Sequence, residues 1–224
     1  MCVIIVKPYG IELPSKELLQ KCWTENPHGA GFSVTRSGAT MSSVEKGFLT
    51  FKHFYHFLTR YVTSKDDLVV MHFRWATHGY MSSGHTHPFP VSRYRSELEK
   101  LIYKTNIVVF HNGVIRMKRQ PFNWSDTMFY IGGILAHMPT LDVQKIAEQT
   151  KGSRLCIVND GIPTLIGEGW KEDDGCMYSN LDWKESKRKL IYYTGCKSAV
   201  TEMSEKEWDD FVKKHSINNS KYEN

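Results

Sequence analysis

A cysteine at position 2 runs straight into four apolar residues, Val3-Ile4-Ile5-Val6, and this short run constrains the fold more than any other stretch. Apolar runs of this length, rich in β-branched residues, suit strands covered on both faces. Leu68 to Arg74 and Asn106 to Phe110 read as two more strands, the second buried like the first, and each delivers a polar cluster at its end. Helical spacing appears between the strands: Lys16 to Trp23 behind a Ser15 cap, Phe51 to Tyr61, Asp126 to Met138 and Leu141 to Thr150. Residues 26–34 form a Gly-rich turn feeding a strand, where Gly29 and Gly31 permit close approach of another chain or ligand. Arg154 to Val158 and Thr164 to Gly167 are strands joined by the hairpin-type turn Asn159-Asp160-Gly161. Residues 92–100 are expected to be an exposed turn or short helix, and residues 170–189 a charged loop. A last strand is expected over Leu190 to Thr194 and a last helix from Ser204 to about His215. Strands dominate and helices come in pairs, without βαβ alternation, so the reading is one α+β domain over residues 1–216 with a polar tail, 217–224.

Bulk properties narrow the function classes. With 29 Lys and Arg against 24 Asp and Glu, the formal charge of +5 is a mildly basic surface, and direct nucleic-acid binding is not expected. Five scattered cysteines without C-x-x-C spacing predict free thiols in a reducing compartment rather than a disulfide framework. No stretch has the length of a membrane span, so a cytoplasmic location and no membrane partner are expected. His85 and His87 supply at most two metal ligands, with no cysteine or carboxylate at ligand spacing, so neither a metal nor a cofactor is expected.

The polar clusters carry the chemistry. Once Met1 is trimmed, Cys2 holds a thiol and a free α-amino group on one carbon. That amine has an ordinary pKa of about 7.7–8.0 and can serve as the thiol's base. Asn112-Gly113 offers a side-chain amide beside a backbone N–H, a donor pair suited to a developing oxyanion. Arg74 presents a fork for a carboxylate, beside Thr77 and His78, and Asp126 at a helix start suits an ammonium or a helix cap. Trp75 is either packing or a gate. A thiol, an oxyanion hole and clamps for both ends of an amino-acid head describe a site for a free amino acid with a side-chain amide, which points to glutamine.

These segments resemble the glutaminase domain of class II glutamine amidotransferases, which are N-terminal-nucleophile hydrolases. The resemblance rests on Cys2 after Met1, Arg74-Trp75-Ala76-Thr77-His78-Gly79, His87-Pro88, His111-Asn112-Gly113-Val114-Ile115 and Ser125-Asp126-Thr127, in family order, with Asn26 to Phe32 similar to the family's Gly-rich segment. It is nearest to the glucosamine-phosphate-synthase type. The resemblance implies a four-layer αββα sandwich of two antiparallel sheets between helical layers. It further implies attack by Cys2 on the glutamine amide, with release of ammonia from a γ-glutamyl thioester. Asn112 and Gly113 would form the oxyanion hole. Arg74, with Thr77 and His78, would hold the α-carboxylate, and Asp126 the α-ammonium. Three positions depart from the family pattern: Val3 where glycine is usual, His28 in place of Asp or Ser, and Met128 in place of Glu. The chain also lacks the length for a synthase domain, as in stand-alone relatives resembling bacteriophage proteins, so the expectation is either a separate ammonia-accepting synthase as partner or glutamine hydrolysis as the whole reaction. Two alternatives stay open: an N-terminal-cysteine amidase acting on another amide, and a non-catalytic binding module.

Overall fold

The computed structural model describes residues 2–75, 82–118, 121 and 123–185. The expected strand over Leu190 to Thr194, the helix from Ser204 and the tail 217–224 lie outside the described residues. Strands are β1 (Val3–Lys7), β2 (Ala30–Thr35), β3 (Ser42–Phe48), β4 (Leu68–Phe73), β5 (Phe89–Pro90), β6 (Ile102–Thr105), β7 (Ile107–Asn112), β8 (Arg154–Asn159), β9 (Ile162–Ile166), β10 (Lys171–Asp173) and β11 (Cys176–Tyr178). Helices are α1 (Lys16–Glu25), α2 (Phe51–Tyr61), α3 (Arg95–Leu98), α4 (Asp126–Gly133), α5 (Val143–Gln149) and α6 (Asp182–Glu185). The fold is mixed α+β. Seven strands pair antiparallel in the order β10-β11-β1-β4-β2-β3-β6, and four more in the order β5-β7-β8-β9.

The period of two along each strand sorts its residues between separate cores. Val3 and Ile5 of β1, with Val69, Met71 and Phe73 of β4, meet the α1 residues Leu19 and Cys22 and the α2 residues Phe54 and Leu58. Ile4, Val6, Leu68 and Val70 turn the other way and join Val108 and Phe110 of β7 and Cys156 and Val158 of β8. Val109, Leu155 and Ile157 face a third cluster with Met128 and Ile131 of α4 and Ile146 of α5. Every residue of β1 is buried, as the apolar run requires, even the terminal Lys7. Val3, which stands where the resembled family usually has glycine, is an ordinary strand residue paired with Phe73.

The aromatic stripe of α2 packs as core. Phe54 lies 4.9 Å from Phe73 and 5.8 Å from Phe48, both edge-to-face, an arrangement aromatic pairs favour. Gly31 meets its own chain, because a Cβ there would collide with the His87 carbonyl and the Lys46 side chain.

Several boundaries differ from the sequence reading. The helix expected over Asp126 to Met138 stops at Gly133, followed by a 3-10 turn over Leu135–His137. Two successive glycines lower helix propensity there, and Gly132 is needed small because Trp124 packs against it. Residues 170–189 are not one loop: β10 and β11 form a hairpin around Asp174 (φ 49°) and Gly175 (φ 73°). Strands β3 and β6 have no counterpart in the sequence reading, since neither Ser42–Phe48 nor Ile102–Thr105 alternates cleanly. No helix among the described residues is long and apolar enough to cross a membrane.

Candidate active site

Antiparallel pairing of β1 with β4 sets the start of one strand beside the end of the other, so Cys2 lies against Arg74 and Trp75. The Cys2 thiol accepts the Trp75 backbone N–H at 3.2 Å and lies 3.5 Å from the Trp75 carbonyl. Burial pushes its pKa up, opposed by the Trp75 N–H and by the nearby charge of Arg74. The thiol therefore rests protonated at neutral pH, and attack requires a base. Trp75 also stacks its ring on His28, with centroids 4.9 Å apart.

Arg74 is buried where the Gly-rich turn folds back: its N–H donates to the Gly29 carbonyl at 2.8 Å and its carbonyl accepts from His28 at 3.0 Å. Burial lowers its pKa, and the neighbouring Cys2 and Asp126 work against that lowering. Burial is the main cause of the lowered pKa of His28, His72, His85 and His87, and the charge of Arg74 adds to it in each case. Asp126 is the first residue of α4, but Ser125 is the cap, accepting from Met128 N–H at 3.1 Å. Asp126 instead braces the chain. Its carboxylate accepts Ile115 N–H at 2.8 Å and Thr127 N–H at 2.7 Å, and each oxygen retains acceptor capacity.

Asn112 ends β7, nearly enclosed, with its side-chain nitrogen 2.8 Å from Ser179 Oγ. Gly113 follows at φ +143°, and a Cβ there would fall on buried Ser153, so only glycine fits. Cys2, Trp75, Asn112 and Gly113 share a cleft of about 480 Å³ whose lining also includes Arg116 and Lys151. Of the residues expected from sequence, the fold thus brings together Cys2, Arg74, Trp75, Asn112, Gly113 and Asp126. Thr77 and His78 lie outside the described residues.

Sequence reasoning missed two groups. Ser179 and Asn180 follow β11 and contact the site from the segment read as a loop; Asn180 donates its side-chain N–H to the Cys2 carbonyl at 2.7 Å. The other group is a buried histidine cluster. His72 and His87 rings lie 4.2 Å apart, and Thr127 Oγ1 sits 2.8 Å from His111 Nδ1 and 3.3 Å from His87 Nε2. Burial lowers the pKa of all three, that of His72 to about 3, so they are neutral spacers. His85, by contrast, is tied to Ser82 and to the Asn123 carbonyl. Among the described residues no three His, Cys, Asp or Glu side chains group as metal ligands. No model of a known protein family matches the chain, and no curated protein matches it.

Proposed function

We propose that the chain is a glutamine-dependent amidase of the class II amidotransferase type, using Cys2 as an N-terminal nucleophile. The observation that carries this reading is the shared cleft. It sets the Cys2 thiol beside Asn112 and Gly113, while Arg74 and Asp126 act electrostatically on that same thiol. Core packing supports the finer fold reading as well. Helices α1 and α2 cover one face of the larger sheet, α4 and α5 cover one face of the smaller, and a third cluster draws on both sheets, as a four-layer αββα sandwich requires.

In this mechanism the Cys2 α-amine, freed by removal of Met1, takes the thiol proton as sulfur attacks the glutamine side-chain carbonyl. The oxygen that gains charge is met by the Asn112 amide and the Gly113 N–H. The ammonium then returns the proton to the leaving nitrogen, ammonia departs, and a γ-glutamyl thioester remains on Cys2. Water attacks the thioester by the same base, giving glutamate and the free thiol. Arg74 holds the α-carboxylate and Asp126 the α-ammonium. Ammonia passes to a separate acceptor enzyme, or hydrolysis is the whole reaction.

Intact mass should show loss of Met1, because a retained methionine occupies the amine. A glutamine-mimicking diazoketone should add one label at Cys2, and Cys2→Ala should abolish both label and ammonia release. Ammonia release that survives in Cys2→Ala would sink the mechanism. A second reading keeps the mechanism and changes the amide. Arg116 and Lys151 line the cleft, with no acidic residue in its lining among the described residues, which suits an amide whose nitrogen carries an anionic substituent. Turnover of γ-glutamyl-glutamate in clear preference to glutamine would favour it.

A further inference from the structure

Asn112 ends in two groups of nearly equal shape, and hydrogen-bond accounting decides which end faces which neighbour. Ser179 Oγ accepts the Ile4 backbone N–H at 2.8 Å and lies 2.8 Å from the Asn112 side-chain nitrogen. In that arrangement the Ser179 hydroxyl proton has no acceptor among the described residues, and Asn112 Oδ1 is buried without a donor. Exchanging oxygen and nitrogen of the amide satisfies both at once. The Ile4 N–H donates to Ser179 and Ser179 donates to Asn112 Oδ1, while the amide nitrogen takes the buried position where Oδ1 stood, with no acceptor there among the described residues until a ligand oxygen supplies one.

Position reinforces the accounting. Tyr178 pairs with Ile5 across β11 and β1, and one step further the Ser179 N–H donates to the Ile4 carbonyl at 2.9 Å. Asn180, next along, holds the Cys2 carbonyl. Consecutive residues therefore grip the strand bearing the nucleophile and the side chain proposed as the oxyanion donor. Ser179 is fully buried, so water does not compete for its hydroxyl.

We propose that Ser179 is a positioning residue that fixes the Asn112 amide with its N–H groups free for the substrate oxygen, while Asn180 holds Cys2 in register with it. The kinetic consequences rest on the amidase reading above; the orientation of the amide does not.

The test uses the full chain with ¹⁵N-labelled side-chain amides. The Asn112 pair is the one lost in Asn112→Asp. In Ser179→Ala that pair should shift and exchange faster with solvent. An unmoved pair overturns the inference whatever the chain's activity, whereas a chain inert towards glutamine overturns the substrate reading and leaves this readout intact. Should Ser179→Ala fail to fold, Ser179→Cys keeps the shape with a weaker donor and takes its place. In an active chain, Ser179→Ala should lower kcat about 10- to 100-fold, less than the roughly 10²–10³-fold typical for removing an oxyanion donor outright. KM should stay within about twofold. Alkylation of Cys2 by iodoacetamide builds no oxyanion and should keep its rate. In an Asn112→Ala background, Ser179→Ala should have little further effect. Alkylation falling in step with kcat, or full additivity in the double variant, overturns the proposal.

Discussion

The two ends of β1 bury polar groups in opposite ways. At the Lys7 end every such group is matched. Lys7 Nζ donates to the carbonyls of Lys65 and Asp67, and the Asp67 carboxylate takes Arg36 and the N–H groups of Thr63 and Ser64. At the Cys2 end, buried side-chain atoms of His72, His87, His111, Asn112 and Ser153 have no partner among the described residues. An unsatisfied buried polar group costs about 1–3 kcal/mol, so stability is surrendered at one end and not at the other. The Lys7 end is a closed clamp that holds β1 in place. At the Cys2 end Asn112 alone of these five lines the cleft, so its spare amide group is the one placed to complete its bonds with a ligand, while the histidines and Ser153 stay behind it.

The contrast can be broken by substitution. Asn112→Ala should lower ammonia release by about 10²–10³-fold and barely move the denaturant midpoint; a large stability loss with intact turnover would make Asn112 structural. Asp67→Ala should do the reverse. It leaves Lys7 its carbonyl partners but removes the negative charge near that lysine and strips the acceptor from Arg36 and from two backbone donors, for a loss on the order of 3 kcal/mol in urea unfolding, with kcat within about twofold.

Glu45 sharpens the comparison, being a buried charge far less well matched than Asp67. Burial raises its pKa from 4.5 to about 7, with hydrogen bonding from Tyr61 the main opposing influence. A carboxyl whose folded pKa is raised favours folding at low pH, and that contribution disappears as pH climbs from about 4.5 through about 7. Glu45→Gln should therefore flatten the stability profile over this window, removing a decline of about 3 kcal/mol. An unchanged slope in urea titrations at pH 5 and pH 8 would refute that assignment. The smallest effect is expected from Ser125→Ala, which removes the α4 cap for about 1 kcal/mol. Turnover should persist, because Asp126 keeps its bonds to Ile115 and Thr127.

Legibility from sequence followed local chemistry. The run Val3 to Val6 announced a doubly covered strand, and Asn159-Asp160-Gly161 announced a hairpin that closes with Asp160 at φ 48° and Gly161 at φ 80°. The same Asp-Gly signal at Asp174-Gly175 was masked by the charges around it, and with it went the strand that carries Ser179 and Asn180. Strands β3 and β6 were illegible for a related reason. Buried Lys46 is held by the carbonyls of Gly84 and Leu98 and lies 3.9 Å from the Phe89 ring centre, so a tertiary environment, not local pattern, puts a lysine inside. Cys2, Arg74, Asn112, Gly113 and Asp126 could be singled out because each is a residue type with few uses at a strand or helix end. The Ser179 contact could not, since a serine bonded across 67 positions of sequence leaves no trace in its neighbours.

The link between Asn180 and Cys2 spans 178 positions, nearly the full length of the described chain. During synthesis Cys2 emerges well before the hairpin of β10 and β11 that leads to Asn180. At about 5–20 residues per second, roughly 10–35 s separate the two. Through that interval the thiol is an ordinary cysteine, and it acquires its setting only when β11 closes against β1.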